Sequence, residues 1–336
     1  MKQQISSINE VKNHNILLIK KTLRSIECGT KNSVAQLTGL SIATCNTILN
    51  ELAKSREILP VENNTPTPVG RPPKSYRFNQ DFSYICCLYP TREENLYYLN
   101  YAVIDLMGNI VNQNIVYYKQ ITLTEIETIL DILIEKQPKI QTIAIGIPGF
   151  YTNHTVSSCG VEELNGLDLV EILYKRYKRK IYIENNMNAI ALGLYNNELK
   201  HTETIHSFAA ISFFKNSGPG SGIILKGDLV HGYNNFAGEI LYLPYAGGEI
   251  HELVERSRDD VIHCAAFALV CYCSILNPEV VVFTGENINS EMIPDVIAKA
   301  SEHIPQMHLP TVRYEYNYRD SYIRGLGELA LKKIFP

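Results

Sequence analysis

The chain lacks the features that would tie it to a membrane or an oxidising compartment. No stretch of its 336 residues approaches the ~20 uninterrupted apolar residues of a bilayer-spanning helix. Its opening, MKQQISSINE, has no apolar core of the signal-peptide kind, so a cytoplasmic location is expected and no membrane partner. The eight cysteines are scattered and form no CxxC. Cys271 and Cys273, two apart on an expected helix, point in different directions. Neither a disulfide framework nor a zinc ribbon follows, and free thiols in a reducing compartment are the simpler account. What remains is an ordinary globular composition, 45% hydrophobic, with room for one small and one large domain or three small ones.

Ser33 to Leu59 reads as a helix-turn-helix. Val34, Leu37, Leu40, Cys45, Ile48 and Leu52 recur at spacings that put them on the inner faces of two helices. Gly39 sits at the turn, Ser41 is placed to cap the second helix, and Ser33 is a candidate start for the first. Ser41, Ala43, Thr44, Asn46, Thr47 and Asn50 are left to face outward, and such a polar face can enter a DNA major groove. Two short stretches, Ile58 to Val61 and Ser75 to Phe78, then flank a Pro- and Thr-rich tip like the hairpin of a winged helix. Gly70-Arg71-Pro72-Pro73-Lys74 is kept extended by its prolines. An extended Arg71, with Lys74 beside it, suits a narrow minor groove where negative potential is focused. Taken singly, the helix pair could be plain packing and the Pro/Arg loop a linker. In this order they favour double-stranded DNA.

Charge divides the chain in the same place. Residues 1–80 hold eleven Lys and Arg against five Glu, a net of +6. The whole chain carries −4, so residues 81–336 carry −10. A basic head for nucleic acid on an acidic body is the expected organisation, with the boundary at residue 80.

From Asp81 onward, strands and helices alternate. YICCLYP, LYYLNYAVID and NIVYYKQI read as strands, with Asp105 to Asn109 as a hairpin turn. Helices are expected over 123–137, 168–177 and 258–276, and buried strands at IQTIAIGIPGF, KIYIENN, SFAAISFF and NPEVVVFTG. The pattern is that of an α/β body with parallel pairing.

AIGIPGF, IYIENNMNAIALG, GPGSGIILKGDLVHGYNNFAGEI, LNPEVVVFTGE and the closing GLGELAL together resemble, in order, the motifs of the ROK family (repressors, open reading frames, kinases). The resemblance spans nearly the whole chain. It implies a winged helix over 1–80, followed over 81–336 by a two-lobed actin/hexokinase-like, ribonuclease-H-like body. In the family's kinases the Asp of an END triplet is the general base, and here that position is Asn186, in Glu184-Asn185-Asn186. A carboxamide has no basic site near neutral pH, so no catalytic residue is expected. The Asp-x-Gly-Gly phosphate turn corresponds to Leu88 to Arg92, which has no glycine or acid and contains Pro90, which has no amide donor. Gly285-Glu286 puts an acid where the family has a second glycine. The family's structural zinc is held in part by the His of GEIGH. Here Leu241 and Tyr242 follow Gly238-Glu239-Ile240, so neither a metal nor any other cofactor is expected.

The resemblance leaves Gly149, Asn185, Asn186 and Glu239 as candidate contacts for a sugar or sugar-phosphate effector. The alternative is that Glu239 is a solvated loop carboxylate and the asparagines cap the following helix. The expectation is a homodimeric repressor of carbohydrate-related genes with a catalytically inactive sensor body. The rivals are an active ATP-dependent sugar kinase with a DNA-binding head, and a regulator answering to a protein partner.

Overall fold

A computed structural model of the chain describes residues 2–61, 74–93, 96–200, 204–215, 217–245 and 248–336. Two units are present. The first comprises Met1–Tyr84, Asp105–Asn109 and Leu331–Pro336, and the second Ile85–Ile104 and Ile110–Ala330. Among the described residues, no helix is long and apolar enough to cross a membrane. All eight cysteines are free.

The first unit runs α1 (Lys2–Ser25), β1 (Gly29–Thr30), α2 (Lys31–Thr38), α3 (Ile42–Lys54), β2 (Ile58–Val61) and β3 (Ser75–Phe78). Its three strands pair antiparallel in the order β1-β3-β2. Both expected hairpin strands fall where the sequence puts them. Helix α2 opens one turn earlier than expected. The Thr30 hydroxyl accepts from Ser33 N (3.2 Å) while Thr30 N donates to Ser33 Oγ (2.8 Å), a capping box with Ser33 as its third residue. Gly39 ends the helix at φ +71°, with open space around its Cβ position. The turn therefore needs glycine for its left-handed backbone, not for room. Ser41 caps α3, accepting from Thr44 N at 3.1 Å.

The core of this unit joins Ile19, Leu23, Val34, Ile48, Leu49 and Tyr76. Leu37, expected inside, is 60% exposed. Val34 and Ala35 are adjacent and both buried, which turns the helix so that Thr38, not Leu37, continues the inner face. The segments from later in the sequence are well anchored. Asp105 is 1% exposed and accepts from Met107 N, Asn109 N and Asn109 Nδ2, while Leu106 N donates to Gln80 O. Phe335 meets Phe78 edge-on at 5.8 Å and lies under the Arg24 guanidinium.

The second unit runs β4 (Tyr84–Glu93), β5 (Leu96–Ile104), β6 (Ile110–Tyr118), α4 (Leu123–Lys136), β7 (Ile140–Ile147), β8 (Phe150–Thr152), β9 (Thr155–Ser157), α5 (Leu169–Tyr177), β10 (Lys180–Asn185) and α6 (Asn186–Glu198). It continues through β11 (Ser207–Phe214), β12 (Gly218–Leu225), β13 (Asp228–Leu229), α7 (Ile250–Leu253), α8 (Arg258–Ile275), β14 (Val280–Thr284), α9 (Ile293–Ala300), β15 (Thr311–Glu315) and α10 (Tyr318–Ile334). Two five-stranded sheets result, β10-β7-β4-β5-β6 and β13-β12-β11-β14-β15. Each puts its first strand in the centre, with an antiparallel meander on one side and its fourth and fifth strands, parallel to each other, on the other. The ribonuclease-H-like order thus occurs twice, which is the actin/hexokinase-like class.

Glycines fix the close approaches. A Cβ on Gly222 would lie 2.6 Å from both Ala191 Cβ and Met187 O, so α6 rests directly on β12. Strand β12 pairs with β11 along its length, and its Gly220 and Gly222 make room for that helix. Gly193 of α6 and Gly325 of α10 face one another's backbones. A Cβ on Gly193 would strike Ser321 O and lie 2.6 Å from Ser321 C, and one on Gly325 would strike Ala189 O and lie 2.7 Å from Ala189 C. Helix α8 buries Val261, Ala265, Leu269 and Tyr272 in one core with Val281 and Phe283 of β14. Ile275, expected on the same face, is 78% exposed, while Tyr272, Cys273 and Leu276 around it face the core, so it lies on the outer side of the helix.

Candidate functional site

The outward face of α3 is the first candidate. Ser41, Ala43, Thr47 and Asn50 are exposed, and Thr44 and Asn46 half-buried. Ser41 Oγ is 2.8 Å from Thr44 Oγ1, and Thr47 Oγ1 donates to Ala43 O at 3.1 Å. Asn46 Oδ1 accepts from Lys31 Nζ and from Asn50 Nδ2. The sequence-based set therefore lies together on one helix, with Lys31 of α2 tied to it. Lys74, at the foot of the hairpin, is exposed. Arg71 lies outside the described residues.

The second candidate is a cavity of about 110 Å³ in the second unit. One wall is Phe150 and Tyr151 of β8, with Ile183, Glu184 and Asn185 at the end of β10. The other is His231 and Asn235, from the segment after β13. That segment is strapped to the opposite wall. His231 Nε2 meets Glu184 Oε2 at 3.0 Å, Asn235 Nδ2 donates to Tyr151 O at 3.4 Å, and Phe236 stacks on Phe150 at 6.1 Å. Behind Tyr151, its hydroxyl donates to Asp168 Oδ1 at 2.7 Å. The Asp168 carboxyl is held below its ordinary range, first by the Glu171 backbone N–H and then by that hydroxyl.

Of the four residues picked from the sequence, Asn185 lines this cavity, and Gly149, Asn186 and Glu239 are not among its lining residues. Asn185 is also the cap of α6. Its Oδ1 accepts from Met187 N (2.8 Å) and Asn188 N (3.3 Å), and its Nδ2 donates to Gly149 O at 3.2 Å. Gly149 is glycine because a Cβ there would lie 2.6 Å from Cys159 Cα. Glu239 is half-buried just before a short 3-10 turn, and burial raises its carboxyl pKa. Its neighbour Gly238 is fixed at φ +93°, and Gly238 O accepts from Ser221 Oγ at 2.5 Å. That serine also meets Tyr272, whose phenol burial raises to about 12. Glu184 and His231 are the pair that sequence reasoning missed. They lie 47 residues apart, and the one signal for them was that each lies within a family motif.

Where a phosphate turn would be, β4 is an unbroken strand. Leu88, Tyr89, Pro90, Thr91 and Arg92 face Tyr101, Asn100, Leu99, Tyr98 and Tyr97 of β5 in register. Tyr89 is 1% exposed and stacks on Tyr322 of α10 at 3.8 Å between centroids. Tyr318 packs on Phe214 at 4.6 Å and donates its hydroxyl to Glu286 Oε1 at 2.9 Å. Glu286 Oε2 accepts from Lys215 N at 3.2 Å.

A structural zinc does not fit the residues present. Tyr242 is 61% exposed in the place of the expected histidine. Among the described residues, no three His, Cys, Asp or Glu side chains converge.

Comparison with known proteins places this architecture. The model of the ROK family matches residues 97–246, from β5 to the segment beyond Tyr242. That stretch, a little under half of the chain, is similar to the ROK family. The chain is 24% identical to the xylose repressor of Caldicellulosiruptor bescii over 243 residues, which is 68% of this chain. The match spans 58% of that relative's length. In fold it resembles the crystal structure of a ROK family transcriptional regulator, a homolog of the E. coli MLC protein, with a TM-score of 0.72, 16% identity and 97% of both chains covered. The ROK hexokinase from Thermus thermophilus aligns with a TM-score of 0.60 and 16% identity, over 74% of this chain and 99% of its own. The hexokinase aligns with about three quarters of this chain, and the MLC homolog with nearly all of it.

Proposed function

We propose that this protein is a DNA-binding transcriptional regulator, acting as a homodimeric repressor of carbohydrate-related genes. Its body holds a small polyol and transfers no phosphate. The observation that carries the reading is α3, a capped helix that buries Cys45, Ile48, Leu49 and Leu52 and turns Ser41, Ala43, Thr47 and Asn50 to the outside. That helix is the second of a helix-turn-helix in a unit rich in Lys and Arg, the form that suits a major groove. The xylose repressor relative and the full-length regulator fold support it. A two-fold dimer would present two such helices to two half-sites.

The absence of turnover rests on β4. Its backbone is engaged in the ladder with β5 through Leu88 to Arg92, and Tyr89 and Tyr322 fill the space above it. A phosphate would find no free amide turn there, and Asn186 offers no base.

The test is selection of binding sites from a random duplex library with full-length protein, followed by anisotropy titration on the winning sequence. Arg71→Ala should then cost about 1–3 kcal/mol on sites with A·T-rich flanks. A library that yields no enriched motif, with affinity indifferent to sequence, defeats the proposal.

A further inference from the structure

The outward face of α3 carries a run of hydrogen bonds whose direction follows from the chemistry of its members. Lys31, the first residue of α2, is half-buried, and its Nζ donates to Asn46 of α3. An ammonium has donors and no acceptor, so the Asn46 atom that faces it is Oδ1. The same oxygen meets Asn50, one turn further along α3, at 3.3 Å. A carbonyl oxygen only accepts, so Asn50 turns its Nδ2 toward it. The order Lys31, Asn46, Asn50 thus orients both amides and leaves them with different free groups. Asn46 keeps two N–H donors, because its oxygen is filled from two sides. Asn50, which is exposed, keeps Oδ1 and one N–H, an acceptor and a donor in one amide plane. Their neighbours on the helix offer less. Thr47 gives its hydroxyl proton to Ala43 O, and Ser41 Oγ and Thr44 Oγ1 are bonded to each other at 2.8 Å.

We propose that Asn50 reads an adenine in the major groove, and that Lys31 and Asn46 are positioning residues that hold its amide in the orientation this base requires. Adenine presents N7, an acceptor, beside the N6 amino donor, and a carboxamide matches that pair with one N–H and its oxygen. Guanine shows two acceptors there, thymine an acceptor and a methyl group, and cytosine a donor alone, so none of them satisfies both free groups of Asn50. Asn46 cannot make the adenine pair, since Lys31 and Asn50 fill its oxygen. An unanchored asparagine would be free to turn over, and ordering it on the DNA would cost affinity for the matching base. The charge-assisted bond from Lys31 removes that freedom beforehand. A Lys31 that served DNA only through a phosphate would instead add affinity to every sequence alike.

This inference rests on the proposed DNA-binding role of α3, and the experiment separates the two. Full-length protein selects its sites from a random duplex library, and the Asn50→Ala protein repeats the selection. The position whose preference Asn50→Ala abolishes should be adenine for the parent, favoured at least ~10-fold over each other base in anisotropy titrations. Lys31→Met keeps a long side chain without the charge and should lower that preference at least ~3-fold, as should Asn46→Ala. Asn46→Asp, whose carboxylate accepts from both partners, should keep more of the preference than Asn46→Ala. Unshifted thermal transitions would show that the variants are folded. A uniform loss of affinity in Lys31→Met, with the adenine preference intact and the salt slope reduced by about 1, would make Lys31 a phosphate contact and overturn the relay. Another base at the position that depends on Asn50, or no such position, overturns the inference and leaves DNA binding standing. A library that yields no enriched motif overturns the DNA-binding role, and this inference with it.

Discussion

Replacing Gly325 by alanine pits two opposed effects of known size against each other. In an isolated helix the change favours folding, because glycine is about 1 kcal/mol poorer than alanine in a helix interior. At the crossing of α6 and α10 the added methyl would strike Ala189 O and lie 2.7 Å from Ala189 C and 3.0 Å from Gly193 N. All three are main-chain atoms, so no rotamer change relieves the contact and the helices must part. Parting them also strains the Asn197 to Ser321 hydrogen bond, 3.4 Å long, and loosens a helix whose residues 187–195 are all buried. Overpacking of this kind costs about 1–3 kcal/mol, with rigid partners at the upper end, so the net expectation is a loss of ~2 kcal/mol. Gly193→Ala should cost a similar amount. The double variant should cost less than the sum, because helices already forced apart have room for the second methyl. Urea unfolding followed by near-UV circular dichroism, which reports on buried tyrosines such as Tyr89 and Tyr322, measures all three. A Gly325→Ala protein that is more stable than its parent by about 1 kcal/mol would show propensity in sole control, and the backbone contact would be refuted.

Three further outcomes follow from the second unit. Leu269→Ala removes a side chain with no exposed surface from the α8–β14 core and should cost about 2–5 kcal/mol in the same assay, whereas a loss below ~1 kcal/mol would mean that the core collapses around it. Tyr322→Phe deletes a buried hydroxyl without a hydrogen-bond partner and keeps the stack on Tyr89, so stability should hold or rise by up to ~1 kcal/mol, and a clear loss would reveal a bond to that hydroxyl. Burial raises the carboxyl pKa of Glu239, so its ionised form penalises the folded state at pH values above the raised pKa, and the penalty fades as pH falls through that value and is gone below the ordinary glutamate value. Glu239→Gln should therefore raise the melting temperature at pH 7 more than at pH 4, and an equal or inverted shift would place that carboxylate in a solvated or paired environment.

Periodic features were the most legible. Continuous apolar runs such as IQTIAIGIPGF and VVVFT became buried strands because nothing but a sheet centre accommodates them. The hairpin strands β2 and β3 and the caps of α3 and α6 were readable from turn chemistry a few residues long. Misreadings arose where a local period met the limits of an element. Leu37 continues a three-residue spacing but lies off the face that Val34, Ala35 and Thr38 turn inward, and Ile275 lies on the outer side of α8, between Tyr272 and Leu276. The cavity was the least legible part. Glu184 gains its meaning from His231 across the site, and Gly149 from Cys159, and no spacing rule encodes contacts made by tertiary approach. Asn186, singled out because its position carries a base in the family's kinases, opens α6 and is not among the residues lining the cavity.

The anchoring of Phe335 has a consequence for biosynthesis. The first unit is stitched from the opening 84 residues, a five-residue turn at 105–109 and the stretch from Leu331 to Pro336. Its aromatic clasp pairs Phe78 with Phe335, and Arg24 completes the cation–π contact. During synthesis the three helices and the wing emerge early, yet that clasp stays open until the whole second unit has left the ribosome. Contacts this distant along the chain form slowly and leave the early-folded head incomplete meanwhile. A nascent chain stalled between residues 330 and 335 would carry a head without its aromatic clasp, so completing the first unit waits on synthesis of the second.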